Sequence, residues 1–368
     1  MTTTVAPAAT SSGPRSPRRP RSSGVRRGET GAGWLFVSPV ILILGTFLLI
    51  PVLMALWVSF SDWTGRGSPL SSHVTFVGFD NYAAITTGGG LQERDFGLAL
   101  RNNAWYVLLV VPLQTALSLF LAVLVSRRIL RARGFFRTAF YFPSVTSSVA
   151  ITVLWLFLFS FTGPINAILA WFGAEGPNWF NDPRGIFQLG ASGGPEWLTS
   201  ATFLGISWWE WLSGPSVAML ALILMAIFTT SGTFMLLFVA ALQNVGYELT
   251  EAGMMDGANA WQRFWRITLP QLRPTLFTVI TLGLIGCWQV FDQIYTGTQG
   301  GPAKTTMTPA YLSYTAAFQN QNWGIGAAIA FILFAIIIAF TLFQRWALRE
   351  RPVSKRRARA YEPKRVSS

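Results

Sequence analysis

The sequence predicts an all-α polytopic membrane protein with six transmembrane helices, and three observations support this fold class. The chain is 51% hydrophobic but only 12% charged, whereas soluble domains are typically about 25% charged. Charge-free apolar windows recur along it, and each approaches the roughly 20 residues that a helix needs to cross a bilayer. Basic residues concentrate between alternate windows. The predicted spans are 34–60, 102–126, 136–161, 215–242, 274–296 and 324–346.

The Lys and Arg residues set the expected orientation of these spans. Most of the 28 basic residues lie before span 1, between spans 2 and 3, between spans 4 and 5, or after span 6. Cytoplasmic connections of membrane proteins carry an excess of Lys and Arg. Both termini and the loop between spans 4 and 5 are therefore predicted to be cytoplasmic. The net charge of +13 then reflects membrane topology and does not indicate nucleic-acid binding.

The two ends of the chain have the composition of tails. Residues 1–33 are rich in Ser, Pro, Gly and Arg, which predicts a disordered basic cytoplasmic tail. Residues 348–368 are basic and are predicted to lie along the anionic inner leaflet. Residues 34–347 form the predicted six-span domain. Its first apolar run is too long for a secretory signal, and Pro51 is expected to kink it because proline removes a helical hydrogen bond.

A long segment between spans 3 and 4, residues 162–214, is unusually rich in tryptophan and proline. Indole rings partition to the headgroup level of a bilayer, which favours an interfacial aromatic belt. The same rings would also suit a surface for an extracytoplasmic partner protein. The sequence leaves both interpretations open.

The sequence lacks the motifs of catalysis or metal binding. Cys287 and His73 are the only residues of their types, so a site built from several cysteines or histidines is excluded. Residues 297–306 superficially resemble a phosphate-binding loop, but Ala303 replaces the glycine before the lysine and Pro302 lacks a backbone N–H. We predict no catalytic residue, no metal site and no cofactor bound by this chain.

A polar and aromatic segment, residues 248–270, separates predicted spans 4 and 5. Asn244 can cap a short helix from about Tyr247, and Gly257 is placed to end that helix in a left-handed turn. One side of the helix carries Leu249, Ala252, Gly253 and Asp256, a narrow face that another protein could approach closely. A second helix is predicted over 259–269, with Trp261, Phe264 and Trp265 forming an apolar stripe.

Several motifs in the chain resemble one family of membrane proteins. Glu251-Ala252-Gly253, then Gly257, then Ile267-Thr268-Leu269-Pro270 resembles the EAA motif of permease subunits of bacterial binding-protein-dependent ABC importers. The run from Asp256 to Phe277 is similar to the sugar-permease branch, of the maltose and glycerol-3-phosphate type. The resemblance covers nearly all of residues 34–347. Supporting segments are Val77–Ile85, Ala99–Tyr106, Arg133–Pro143 and Val290–Phe318.

The resemblance implies a set of partners and a role for the polar segment. The first short helix would be a coupling helix that docks into a separate ATPase dimer, which binds ATP and magnesium. A second permease would complete a heterodimer in the bacterial cell membrane, and an extracytoplasmic solute-binding protein would deliver the substrate. Gly253 stands where the motif commonly has Ala, which could loosen the helix. The implied ATPase-coupling residues are Glu251, Ala252, Gly253, Asp256, Gly257, Leu269 and Pro270.

The end of span 5 is the expected substrate site. Amide, carboxylate and aromatic groups together can hydrogen-bond sugar hydroxyls while a ring packs on the apolar sugar face. These side chains could instead satisfy one another across helix contacts. The candidate substrate-binding residues are Trp288, Gln289, Asp292, Gln293 and Tyr295.

We therefore predict the permease subunit of an ATP-driven importer for an oligosaccharide or related polyol, working by alternating access. The chain itself is not expected to be an enzyme. The alternative is an ion-coupled secondary transporter, which usually requires intramembrane carboxylates to hold the ion. Asp292 is the only candidate for that role.

Overall fold

The computed structural model describes residues 27–126, 132–188 and 195–347, and these residues are mostly helical. The predicted tail 348–368 and most of the predicted tail 1–33 lie outside the described residues. Four described helical segments are long and apolar enough to cross a membrane. A pair of helices joined by a sharp bend would add a fifth. Six spans and their orientation remain a prediction.

The chain divides into two units, residues 1–54 and 55–368. In the first unit, α1 (Arg27–Leu44) passes into a π-helical turn (Gly45–Leu49). Helix α2 (Ile50–Ser59) begins in this unit and continues past residue 54. The π-helical turn directly precedes Pro51, where the sequence predicted a kink, and such turns accommodate a disturbed hydrogen-bond ladder. α1 begins within the predicted tail, because its helical pattern extends upstream of the apolar run.

Helix α4 (Leu91–Ser126) follows the short α3 (Asp80–Thr86) and begins well before predicted span 2. It buries an Arg-Asn-Asn triplet, residues 101–103. The Arg101 guanidinium donates to the Ser213 hydroxyl and to the Gly214 carbonyl. Asn102 donates to the carbonyl oxygens of Lys304 and Met307. Buried polar residues are tolerated in the helix here because groups distant in sequence accept their hydrogen bonds.

Predicted span 3 folds as two helices, α5 (Arg133–Val145) and α6 (Ser148–Leu158), bent by 97°. The bend follows Pro143 and contains Thr146 in an extended conformation. Proline removes a helical hydrogen bond, so the helix ends within the apolar run. The hydroxyl-rich sequence at the bend becomes part of a cavity described below.

Residues 162–214, which follow α6, are called the extracytoplasmic candidate segment below, and their described part has regular local structure. It contains α7 (Pro164–Trp171), α8 (Glu196–Ser200), the hairpin strands β1 (Thr202–Phe203) and β2 (Ile206–Ser207), and α9 (Trp208–Leu212). The strands pair antiparallel, with Thr202 opposite Ser207. Ser207 and Glu210 form a reciprocal capping box at the start of α9.

Helix α10 (Val217–Gln243) is the most buried of the candidate spans. It packs against α4, α5 and α14 (Arg273–Trp288). Gly232 faces α5, where an added Cβ would collide with the Phe140 carbonyl oxygen. A small residue lets two helix backbones approach closely in a membrane.

The polar segment after α10 contains three short helices before α14. These are α11 (Tyr247–Met255), α12 (Ala260–Arg263) and α13 (Leu269–Gln271), with a π-helical turn at Phe264–Thr268. Asn244 does not cap α11; it ends α10, and Gly246 precedes α11 without a side-chain cap. That prediction was wrong because the residue directly before α11 is Gly246, two positions after Asn244. Asn259 instead caps α12, in a capping box with Gln262.

Between α14 and the long helix that ends the described residues, the helical structure is interrupted several times. After α14 comes a π-helical turn (Ile294–Thr298), then α15 (Pro309–Tyr314), a second π-helical turn (Thr315–Gln319) and α16 (Trp323–Ala347). α14 alone is shorter than a full span. α15 and α16 pack together, and α16 also contacts α14.

Candidate functional site

The backbone leaves the helical conformation directly after α14. Gln289 has φ −97° and ψ 14°, and helical structure resumes at Asp292. We call residues 289–291 the helix break. Backbone groups at membrane depth must find partners within the protein. The carbonyl oxygen of Trp288 accepts from the Asn103 amide at 3.1 Å, and that of Val290 accepts from the Thr308 hydroxyl at 3.0 Å.

A cavity of about 260 Å³ opens beside the helix break, and we call it the break cavity. Its lining combines two amides, one carboxylate, hydroxyl groups and two aromatic rings. It draws on α4, α6, α10, the last turn of α14 and the residues that follow α14. The lining residues include Tyr106, Ser148, Thr230, Cys287, Gln289, Phe291, Asp292 and Gln293.

A second cavity of about 280 Å³ adjoins the break cavity and shares Ser148, Thr230 and Gln293 with it. Hydroxyl side chains from the α5–α6 bend and from α10 dominate its polar lining. Such groups donate and accept hydrogen bonds with free rotation of the O–H. The hydroxyl residues are Ser144, Thr146, Ser148, Thr152, Thr229, Thr230 and Thr233.

Three of the five predicted substrate residues share the break cavity. Gln289 and Asp292 are exposed there, and Gln293 is half-buried. The Gln293 side-chain oxygen accepts from the Tyr106 hydroxyl at 3.0 Å. Trp288 does not line the cavity, because its ring is buried against Phe340 with 5.3 Å between centroids.

Tyr295 does not line the cavity but contacts a residue that does, in an aromatic cluster. Its ring stacks on Phe291 at 5.4 Å, and Phe291 lines the break cavity. Tyr314 meets both rings edge-on, at 5.4 Å from Phe291 and 5.3 Å from Tyr295. Tyr295 is 44% exposed, so part of its ring remains accessible.

Sequence reasoning missed the cavity residues contributed by other helices. Tyr106, Ser148 and Thr230 are distant from the helix break in sequence but line the same cavity. Thr230 also donates to the Gln114 side-chain oxygen at 2.6 Å. The available signal was the pair of hydroxyl-rich runs, 146–148 and 229–231, each within a charge-free apolar window.

The predicted end of α11 at Gly257 is confirmed. Gly257 has φ +76°, and its N–H donates to the Met254 carbonyl at 3.0 Å. The Ala258 N–H donates to the Gly253 carbonyl at 2.9 Å, which completes a Schellman motif. The Arg263 guanidinium donates to the Ala258 carbonyl at 2.8 Å. The turn is therefore fixed to α12 without any distant contact.

The surface of α11 is available to another molecule. Glu251, Ala252 and Asp256 are exposed. In the part of the chain that the structure describes, the Glu251 carboxylate has no ion pair or side-chain hydrogen bond. Met255, beside Glu251 one turn on, is 89% exposed, although sequence reasoning did not select it. A flexible exposed methionine suits an adaptable contact surface.

Gly253 alone among these positions faces inward. An added Cβ there would lie 2.8 Å from the Ile267 Cδ1 atom. Helix α11 therefore packs closely on residues 260–271, which comprise α12, the π-helical turn and α13 and which we call the helical arm. Leu269 and Pro270 are half-buried in that arm. The chain turns at Leu272 before α14 begins at Arg273.

The tryptophans of the extracytoplasmic candidate segment differ in their surroundings. Trp171 and Trp197 are 84% and 71% exposed. The Trp179 ring N–H donates to Asn166 at 2.8 Å, and Trp208 stacks on Phe203 at 5.6 Å. Some of these rings therefore hold the segment together, while others remain available at its surface.

An ion pair organises the same segment near its connection to α10. Arg184 Nη2 lies 2.6 Å from Asp182 Oδ2, and Arg184 Nε donates to Asp182 Oδ1 at 3.0 Å. These hydrogen bonds lower the pKa of the Asp182 carboxyl below its usual value. Close by, the Ile186 N–H donates to the Pro215 carbonyl at 3.0 Å.

The candidate sites contain no grouping suited to a metal ion. Among the described residues, no three His, Cys, Asp or Glu side chains come together. The chemistry available at the break cavity is hydrogen bonding and ring stacking. Groups of this kind can hydrogen-bond a polar ligand and orient it.

Comparisons with known sequences place these features in a family. A family model described as "Binding-protein-dependent transport system inner membrane component" matches residues 114–350. The lactose transport system permease protein LacF of Rhizobium radiobacter is 31% identical over 335 residues, which is 89% of this chain and 98% of LacF. The arabinooligosaccharides transport system permease protein AraP of Halalkalibacterium halodurans is 30% identical, over 84% of this chain and 85% of AraP.

A more distant relative and a solved structure agree with these matches. The trehalose/maltose transport system permease protein MalF of Thermococcus litoralis is 27% identical, over 87% of this chain and 95% of MalF. A chain of a bacterial ABC transporter involved in alginate import has a TM-score of 0.67 and 20% identity. The match covers 89% of this chain and 99% of that chain. The likeness at this identity concerns the fold.

Proposed function

This chain belongs to the binding-protein-dependent inner membrane component family, as the permease subunit of an ABC importer, and we propose that its substrate is a carbohydrate. Relatives named for lactose, arabinooligosaccharides and trehalose or maltose support this substrate class. ATP and magnesium would bind to a partner ATPase dimer. A second permease and an extracytoplasmic solute-binding protein would complete the importer, which would work by alternating access.

The chemistry of the break cavity carries the carbohydrate proposal. Gln289, Asp292 and Gln293 present amide and carboxylate groups to one space, beside the hydroxyls of Ser148 and Thr230. Sugar hydroxyls both donate and accept hydrogen bonds, so a mixed lining of this kind satisfies them. The adjacent stack of Phe291 and Tyr295 offers an apolar surface for a sugar ring. Trp288 would support the site from behind through its packing on Phe340.

Uptake by the reconstituted importer tests this proposal. Proteoliposomes would contain this chain with its permease and ATPase partners and receive binding protein with labelled lactose, maltose or arabinooligosaccharide. We expect ATP-dependent uptake of at least one of these sugars. Asp292→Ala is expected to lower the uptake rate about tenfold or more, because it removes hydrogen bonds to a charged group. Asp80→Ala, in the exposed start of α3, is the matched control.

Each alternative result has a defined meaning. Unchanged uptake in Asp292→Ala would return Asp292 to a packing role. Failure to import any of the three sugars would oppose the carbohydrate assignment. Uptake that persists without the ATPase and follows a proton or sodium gradient would instead support an ion-coupled transporter.

A second part of the proposal is that α11 docks on the ATPase dimer. The helix exposes a carboxylate at Glu251, a small side chain at Ala252 and an apolar side chain at Met255. Its C-terminal turn is fixed locally through Gly257. Leu269 and Pro270 would carry the motion of α11 through the helical arm to α14. A short rigid helix that protrudes on a fixed turn can transmit a domain motion without bending.

Co-purification tests the docking surface. Glu251→Lys reverses an exposed charge and is expected to abolish recovery of the ATPase with the permease pair. The loss follows because a lysine would meet the partner groups that a carboxylate attracts. Glu175→Lys makes the same charge change in the extracytoplasmic candidate segment and should leave recovery intact. Normal ATPase recovery with Glu251→Lys would remove Glu251 from the interface.

The third part concerns the membrane topology. We propose six spans with both termini in the cytoplasm, in which the bent pair α5–α6 forms span 3. Span 5 would consist of α14 continued through the helix break to Thr298. Single cysteines at positions 251 and 175, in a Cys287→Ser background, would be labelled with a membrane-impermeant maleimide. Labelling of position 251 from outside intact cells would contradict this topology.

A further inference from the structure

The polar side chains on one face of α4 meet the groups that line the break cavity. Asn103, Tyr106 and Gln114 lie on the same side of the helix, since Asn103 and Gln114 are about three turns apart. All three are buried, with side chains at most 2% exposed. We call them the α4 polar row. The sequence analysis did not identify any of the three as a candidate site residue.

Each member of the α4 polar row contacts a different residue at or beside the break cavity: two contact lining residues, and Asn103 contacts the last residue of α14. Asn103 donates to the Trp288 carbonyl at 3.1 Å, at the point where α14 ends. The Tyr106 hydroxyl donates to the Gln293 side-chain oxygen at 3.0 Å. The Gln114 side-chain oxygen lies 2.6 Å from the Thr230 hydroxyl, whose single proton it shares with the Ala226 carbonyl at 2.7 Å.

The buried groups of this row are incompletely satisfied. In the part of the chain that the structure describes, Asn103 Oδ1 and Gln114 Nε2 have no hydrogen-bond partner. An amide that leaves half its hydrogen-bonding capacity unused costs free energy in a membrane interior. An apolar residue of similar size would pack at position 103 without that cost. The amide therefore has a reason to be present other than the packing of α4.

From these contacts we propose that Asn103, Tyr106 and Gln114 are positioning residues for substrate recognition. Asn103 fixes the conformation of the helix break at Trp288, so that Gln289 and Asp292 face the cavity. Tyr106 fixes the amide of Gln293 with its N–H groups free to donate to a ligand. Gln114 orients the Thr230 hydroxyl. The positioning role rests on the proposed function of the break cavity.

Thr308 supports the same helix break from the opposite side of the chain. Its hydroxyl donates to the Val290 carbonyl at 3.0 Å and accepts from the Tyr311 N–H at 3.5 Å. The two carbonyl groups released where the helix is interrupted thus bond to side chains of two separate segments. A break secured from both sides is a fixed recognition element.

Cys287, the single cysteine of the chain, reports on the helix break directly. It lines the break cavity and is 6% exposed. The rate of its modification by N-ethylmaleimide in the assembled importer measures opening at the end of α14. Peptide mass spectrometry separates this site from cysteines of the partner subunits. This measurement requires no knowledge of the transported substrate.

The chain provides a closely matched control for Asn103. The Gln344 amide of α16 is also buried, donates to a carbonyl of the same helix α14 (Phe277, 3.3 Å), and has an unpartnered oxygen. Asn103→Leu should raise the Cys287 labelling rate about fivefold, as expected for loss of one hydrogen bond that opposes local opening. Gln344→Leu should leave the rate within about twofold of the native chain. Equal rates in the two variants would overturn the proposal.

Two further variants keep the proposal testable if Asn103→Leu does not assemble. Thr308→Val should raise Cys287 labelling, and Thr308→Ser, which keeps the hydroxyl, should restore the native rate. Labelling that is unchanged in Thr308→Val, or raised equally in both variants, would contradict a hydrogen bond that holds the break.

A double-mutant cycle tests whether Tyr106 acts through Gln293. Tyr106→Phe removes one hydroxyl and should lower sugar uptake about fivefold in the native chain, but not when Gln293 is already Ala. Equal losses in both backgrounds would mean that the hydroxyl acts on the fold alone. If the native importer moves none of the sugars, the proposed function fails, while the Cys287 measurements still decide whether the row holds the break.

Discussion

Helix α11, the proposed coupling helix, and the helix break after α14 are both polar interruptions of an apolar chain, but they are held in different ways. α11 ends in a turn whose hydrogen bonds join residues only a few positions apart, such as Ala258 to Gly253. The helix break is held by Asn103 and Thr308, which belong to other segments. A projecting docking element can be locally encoded, whereas a recognition element inside the membrane requires partners from the tertiary structure.

The largest expected effect is a loss of stability where two helices distant in sequence, α10 and α5, pack together. Gly232→Ala would place a methyl group against the backbone carbonyl of Phe140, where α10 meets α5. Backbone atoms cannot move aside without separating the helices, so the substitution should cost about 1–3 kcal/mol. Residues of the α5–α6 bend and of α10 line the second cavity. Thermal unfolding of the purified complex in detergent would measure the loss of stability.

Gly246→Ala is the control for that substitution, since an added Cβ at position 246 meets no atom within 4 Å. A similar melting temperature for Gly232→Ala and Gly246→Ala would show that the close approach of α5 and α10 is not required.

A smaller effect is expected at the end of α11. Gly257 has φ +76°, a conformation that costs a residue with a side chain roughly 1 kcal/mol. Gly257→Ala should therefore weaken the turn and reduce ATPase recovery, while sugar binding at the break cavity should not change. Quantitative co-purification measures the first effect. Faster modification of Cys287 by N-ethylmaleimide in this variant would show that α11 and the helix break are not structurally independent.

A still smaller effect is expected for Gly253→Ala. The new methyl group would meet only the flexible end of Ile267, and alanine gains roughly 1 kcal/mol of helix propensity over glycine. These effects oppose one another, so ATPase recovery should stay close to that of the native chain. A marked loss would show that the close packing of α11 on its arm is essential to docking.

The smallest effect concerns the extracytoplasmic candidate segment at low pH. Hydrogen bonds from Arg184 lower the pKa of Asp182, so the carboxylate stabilises the folded segment above the unfolded value of about 3.9. This contribution is lost as the pH falls through the lower folded pKa. Hydrogen exchange of residues 185–187 should be faster in Asp182→Asn than in the native chain at pH 7.

Below the folded pKa that difference should narrow, because protonation removes the same charge from the native chain. Comparison of the two proteins at each pH cancels the intrinsic pH dependence of exchange. If the difference in exchange rate between the two proteins does not change with pH, the charge of Asp182 is not what stabilises the segment. The stabilisation would then come from hydrogen bonds that the neutral carboxyl group also makes.

Sequence reasoning predicted α11 more completely than it predicted the helix break. Gly257 was placed correctly because a left-handed helix end has a local residue preference. Asn244 was misassigned because either of two adjacent helices could have used it. Gln289, Asp292 and Gln293 line one cavity, but the sequence did not separate Trp288 from them. Its ring direction depends on Phe340, which lies in another helix.

Composition and the spacing of apolar windows alone determined that this chain is a helical membrane protein, and the motif around Glu251 indicated its family. Both signals are local, because hydrophobic length and helix termination depend on neighbouring residues. Only the tertiary structure decided which polar side chains meet at the helix break. Hydrogen bonds inside a membrane join groups that are far apart in sequence, and no local pattern specifies those partners.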